Sequence, residues 1–246
     1  VGGASCILES SFFRTAPILP VLQKVVNRDA HAENRILFIG KVYKDMEAIE
    51  ANLVCDEPSV AFRSFLDECH SFSCFDITKE RESEMLVAAK NVALDSEVFA
   101  AWAVYRNLCR TLFLRNLENS DMCKNVFVVG TKLKHDFGFD GVDDCYSWNK
   151  IRSYILRSKV NLDLGSQLLL SSFYDRSCSI LEIAPGSLLQ LAQPDKKSVY
   201  GLVNAQVTFE TFSQFENLAT QRLGMDHNQL SGMDETVSQQ IQVLSG

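Results

Sequence analysis

The chain has 246 residues, 46% of them apolar and 22% charged, the make-up of an ordinary globular protein and not of a disordered, collagen-like or coiled-coil one. Its formal charge is -7 and its pI about 5.2, so the chain as a whole gains nothing electrostatically from phosphate backbones or anionic lipid. No run of about 18 apolar residues occurs that would predict a membrane-spanning helix.

Residues 1–28 carry Arg14, Lys24 and Arg28 against Glu9, a mildly basic bias read as an N-terminal arm and helix. Ile18, Val21, Leu22 and Val25 give that helix one apolar face. The run Ile36 to Ile39, stopped by Gly40, predicts a buried strand, and a helix near 43–54 burying Met46, Ile49 and Leu53 follows it. Pro58 suits the first turn of the next helix, whose face is Phe62, Phe65, Leu66 and Cys69. A second strand is expected near 72–77.

Two helices are expected over 79–94 and 96–118, divided at Asp95-Ser96. The second carries the broad stripe Trp102, Tyr105, Leu108, Cys109, Leu112 and Phe113, which marks it as central. Val126 to Val129 with Gly130 repeats the strand-then-glycine pattern. Residues 131–143 read as a solvated loop, and a helix near 144–160 buries Cys145, Trp148, Ile151 and Ile155. Past residue 165, strands are expected at 167–173, 178–183, 198–203 and 206–212, joined by hairpins. Ser213 and Glu216 have capping-box spacing for a helix from Gln214 to Gly224.

The fold class expected is therefore α/β or α+β: a helix-flanked mixed sheet with a strand-rich C-terminal part and a short C-terminal docking helix. The parts would be 1–164, 165–224 and 225–246, the second packed on the same sheet or core as the first.

The eight cysteines show no repeating spacing and sit among large apolar residues, so they read as free thiols in an intracellular, reducing compartment. Cys69-His70 and Cys74 lack a fourth convergent ligand, and no metal is expected. The segment Lys132 to Asp144 carries four acids but has no calcium-loop spacing. Arg106, Arg110, Lys150, Arg152, Arg157 and Lys159 read as salt-bridged, solvated faces, with RNA phosphates as the rival use, so nucleic acid is not expected. No nucleophile motif or triad stands out among the four histidines, and the chain reads as non-enzymatic.

Two segments look like fragments of known motifs. Val128 to Leu133 is similar to the guanine-recognition segment of small GTPases, but Lys134 stands where the decisive aspartate belongs and no phosphate loop accompanies it. Ile180-Leu181-Glu182-Ile183-Ala184-Pro185-Gly186 resembles motif I of Rossmann-like S-adenosylmethionine methyltransferases, a strand entering a small-residue turn. That resemblance implies Glu182 and Gly186 as cofactor-binding residues. Leu188 replaces a further glycine, and the 60 residues after Gly186 require a permuted strand order. Finally, Met233, Val237, Ile241 and Leu244 form an apolar stripe on a polar terminal segment, the pattern of a helix that docks in a groove of its own chain or of a partner. The function expected is a non-enzymatic protein–protein interaction subunit of a larger assembly, binding other subunits and no cofactor; the alternative is a divergent methyltransferase, and the third reading is RNA binding.

Overall fold

A computed structural model describes residues 32–54, 57–73, 75, 95–130, 133–143, 147–164, 183–191 and 208–245. Among them run six strands and seven helices: β1 (Glu33–Ile39), α1 (Met46–Leu53), α2 (Val60–His70), α3 (Asp95–Glu118), β2 (Val126–Val129), α4 (Leu133–Asp136), β3 (Asp140–Val142), α5 (Trp148–Arg157), β4 (Ser158–Asp163), β5 (Leu188–Leu191), β6 (Thr208–Phe209), α6 (Phe212–Gly224) and α7 (His227–Ser245). The expected helices over 18–28 and 79–94 and strands over 167–173 and 198–203 lie outside the described residues.

The chain forms two compact units that interleave in sequence. A sheet unit takes residues 1–40, 124–131 and 140–246, and a helical unit takes 41–123 and 132–139. All six strands belong to the sheet unit, in the order β3-β2-β1-β4-β5-β6, and every neighbouring pair is parallel. The α/β class is one of the two expected, the described sheet being parallel and not mixed, and β5 and β6 extend it. β4, β5 and β6 are not joined as hairpins, since parallel neighbours need crossovers. The hairpin strands expected over 167–173, 178–183 and 198–203, save Ile183, and the turn Pro194-Asp195 lie outside the described residues.

β1 and β2 are the apolar runs seen in the sequence, as strands covered on both faces should be. Ile36, Leu37, Phe38, Val126, Val128 and Val129 are all buried. Gly40 and Gly130 follow them, and each donates its N–H onward, to Val129 O at 2.9 Å and Val142 O at 3.0 Å. Leu37, Val129, Ile155, Ile183, Ala184, Leu188 and Val237 make one core cluster, so α5 and α7 pack on the sheet face that carries Leu37, Val129 and Leu188.

β4 lies where the helix over 144–160 was expected to continue. α5 stops at Arg157, and Ser158 begins the strand. Its polar side chains Ser158 and Asn161 are buried: Ser158 donates to Tyr154 O at 2.7 Å, and Asn161 Nδ2 donates to Ile155 O at 3.1 Å and to Ser187 Oγ at 2.6 Å, while Asn161 Oδ1 has no hydrogen-bond partner. Residues 131–143 are likewise more than a solvated loop. They hold α4 and the edge strand β3, and Leu133, Phe137 and Phe139 are buried. Gly141 is required in β3, because a Cβ there would lie 2.2 Å from Val128 O.

In the helical unit, α2 buries the face that its sequence presents, Phe62, Phe65, Leu66 and Cys69. Its N-cap is Ser59, so Pro58 precedes the cap instead of occupying the first turn. Residues 72, 73 and 75 are not strand; Phe75 packs edge-on against Phe113 with ring centroids 5.0 Å apart. α3 is the central helix of this unit, with Val104, Tyr105, Leu108, Leu112, Phe113, Leu114 and Leu117 buried. In the sheet unit, α6 starts two residues earlier than expected, because the capping box is Thr211 with Gln214 and not Ser213 with Glu216. Gly224 ends the helix as expected.

Candidate ligand site at the carboxyl edge of the sheet

The strand order reverses between β1 and β4: the chain builds outward from β1 through β2 to β3, then returns to add β4, β5 and β6 on the other side. In open parallel sheets, loops diverge at such a reversal and leave a crevice outside the carboxyl ends of the two strands, where ligands seat. Here those ends are Ile39-Gly40 and Asp163-Leu164.

Register defines which side chains share that edge. Ile39 pairs with Val129 and Val129 with Val142, while Asp163 pairs with Gln190 and Gln190 with Thr208. Phe38 pairs with Leu162, which puts Ile39 beside Asp163 one residue on. In-register neighbours project from the same face of a sheet. The last row on this face is therefore Val142, Val129 and Ile39 on one side of the reversal, and Asp163, Gln190 and Thr208 on the other. The row changes from apolar to polar at the switch point itself.

Asp163 is 5% exposed, and its Oδ2 accepts from Gln190 Nε2 at 3.1 Å. A carboxylate so deeply placed needs donors around it, since burial without them costs several kcal/mol by the usual rough scale. Nearer the amino end of β4, on the same face, Asn161 and Lys159 have structural partners. Lys159 Nζ donates to the carbonyls of Leu223 and Met225 at 2.9 and 2.6 Å, closing the C-terminal end of α6. Neither Asp163 nor its row stood out in the sequence, because three strands far apart along the chain assemble it; the only local signal was the polar-apolar alternation of 158–163.

The residues singled out in the sequence are placed differently. Glu182 lies outside the described residues. Gly186 sits in a 3-10 turn, Pro185–Ser187, that enters β5 instead of leaving a strand, and Ile183 just before it is helical. The close backbone approach that a glycine permits is real, but its neighbour is α7: a Cβ on Gly186 would lie 2.8 Å from Asp234 N and 2.9 Å from Met233 C. The peptide is clamped on both sides. Gly186 N–H donates to Asp234 Oδ1 at 2.7 Å, and Gly186 O accepts from Arg222 Nε at 2.8 Å. The strand-turn-helix order of the methyltransferase motif is thus not the one found at Gly186.

Val237 is 1% exposed and belongs to the chain's own core cluster, Met233 is half-buried, and the side chains of Ile241 and Leu244 are outside the described residues. Of the two grooves open to the terminal helix, Val237 thus takes the one on its own chain. Cys69, Cys109 and Cys123 are unbridged, and burial, with Cys109 nearby, pushes the Cys69 thiol well up. His70 Nε2 lies 2.6 Å from Glu50 Oε1, Cys74 lies outside the described residues, and no group of three or more metal-binding side chains occurs among those described. No helix there is long and apolar enough to cross a membrane. Arg157 is exposed and pairs with Glu33, whereas Arg110 is buried and so does not lie on a solvated face.

Strand order and register together define an open parallel α/β sheet whose last row changes from apolar to polar side chains at the switch point. Comparison with protein families, curated proteins and solved structures finds no match to the chain.

Proposed function

We propose that this chain binds a nucleotide-class ligand at the carboxyl edge of the sheet unit, between β1 and β4. The observation that supports the reading is the coincidence of two independent features: the reversal of strand order, and the change from apolar to polar side chains in the last row at the same place. Gly40 at the end of β1 suits it, since a residue without a side chain lets a ligand come close to the backbone. The ligand reading takes up the cofactor-binding alternative and moves it from Glu182 and Gly186 to Gly40 and Asp163. The competing reading, a non-enzymatic subunit of a larger assembly, draws less support, because Val237 of its docking stripe is spent inside the chain.

Thermal unfolding with ATP, nicotinamide adenine dinucleotide and S-adenosylhomocysteine, each added in turn, tests the proposal. A ligand at 100 times its Kd adds about 2.7 kcal/mol, which raises Tm by roughly 5 to 11 °C for a chain of this size. A rise with one of the three supports the reading and names the ligand branch. Tm unchanged by all three at millimolar concentration, in a sample that unfolds cooperatively, discards it in favour of the subunit.

A further inference from the structure

We infer that α7 is a latch: it moves as one body about a joint at Met225-Asp226, and its seating and that of β5 are a single two-state event. The joint is held to the sheet whatever α7 does. Lys159 Nζ, on β4, donates to the carbonyls of Leu223 and Met225 at 2.9 and 2.6 Å. Past the joint the helix closes its own start. Gln229 N–H donates to Asp226 Oδ1, and Asp226 N–H donates to Gln229 Oε1, each at 2.9 Å. Such a reciprocal cap satisfies first-turn donors from within the segment, so the start of α7 does not depend on its seat.

The seat is the buried turn Pro185–Ser187. Its own bonds run from Ser187 N–H to Ala184 O at 3.1 Å and from Leu188 N–H to Pro185 O. Gly186 bonds instead to side chains, its N–H to Asp234 Oδ1 on α7 and its carbonyl to Arg222 Nε on α6. If the turn were seated without α7, the Gly186 N–H would be a buried donor lacking that acceptor. If α7 were seated without the turn, Asp234, 2% exposed, would lose that donor. Either half-seated state is disfavoured roughly ten- to a hundred-fold by the orphaned group, which leaves both seated or both free. Val237 adds to the coupling, since it shares a core cluster with Ile183, Ala184 and Leu188 on the two sides of the turn. β5 begins at Leu188, directly after the turn, and β6 pairs with β5 at the sheet edge. Drawing α7 off its seat therefore releases β5 and β6, and the described sheet switches between six strands and four.

The test is native-state amide hydrogen exchange of the full chain in rising, sub-denaturing urea, for wild type and for Asp234→Ala. In wild type, the amides of 230–238 in α7 and of 188–191 in β5 are expected to share one opening free energy and one urea slope, while α6, tied to β4 through Lys159, opens only at a higher free energy. Asp234→Ala should speed exchange in α7 and in β5 by the same factor, roughly ten- to a hundred-fold. Wild-type α7 opening with a smaller urea slope while β5 keeps its protection overturns the coupling. Acceleration confined to α7 in the variant overturns it too. Opening of α6 together with α7 overturns the joint at Met225-Asp226. Should Asp234→Ala fail to fold, the wild-type comparison of α7, β5 and α6 decides alone.

Discussion

The two units bury polar groups in different ways. In the helical unit, these groups hold helix ends and the segment entering α1. Both carboxylate oxygens of Glu97 accept from Ser59, from its N–H and its hydroxyl, each at 2.7 Å, and Ser59 is the N-cap of α2. The Thr111 hydroxyl lies 2.6 Å from Tyr43 O, and Arg115 Nη2 donates to Lys44 O at 2.6 Å. Each has a local structural purpose. In the sheet unit, polar groups tie strands to one another and to the turn that enters β5: Asn161 to Ser187, Gln190 to Asp163, and Arg222 and Asp234 to Gly186. The difference separates polar burial that closes helix ends from polar burial that joins strands and turns.

Val237→Asp breaks the sheet unit most severely. It puts a carboxylate into the apolar cluster with Leu37, Ile183 and Leu188, a change costing more than about 4 kcal/mol. Tm should fall by roughly 8 to 16 °C, whereas a helix that docks only on a partner would leave Tm of the isolated chain unchanged. In the helical unit, Glu97→Ala strands the Ser59 donors and should cost about 2 to 3 kcal/mol. Urea unfolding followed by amide exchange should show α2 losing protection first; loss confined to the sheet strands would contradict the capping role.

The smallest effect is a pH dependence of the helical unit. Burial holds Cys69 above its ordinary pKa of 9.0, so the folded chain keeps a proton that the unfolded chain releases. Stability therefore falls as pH rises past that value, by about 1.4 kcal/mol for each further unit. The slope difference between wild type and Cys69→Ala above pH 9 measures it, and parallel slopes would refute it.

Much of the frame was legible in the sequence. β1 and β2 could be read because strands covered on both faces are continuous apolar runs, and α2 and α3 because their stripes recur at helical spacing. β4 was hidden by its own function in packing: Ser158, Asn161 and Asp163 look like surface residues until Tyr154, Ser187 and Gln190 arrive as hydrogen-bond partners. Gly186 was singled out as a point where the backbone approaches a cofactor, but the neighbour found there is a helix from the end of the same chain, which no local motif can announce. The candidate site was least visible of all, since Asp163, Gln190 and Thr208 become neighbours only through register.

The position of β1 in the sheet also sets the order in which the protein can be made. β1 is first along the chain among the described strands, yet its partners are β2 and β4, and its Glu33 pairs with Arg157 across 124 residues of sequence. At 5 to 20 residues per second, a ribosome needs roughly 6 to 25 s to supply that span. For that interval the apolar segment Ile36 to Ile39 lacks one or both of the strands that flank it, while most of the helical unit, residues 41–123, is already made. Such a strand, made well before both of its neighbours, is a natural site for a chaperone to hold.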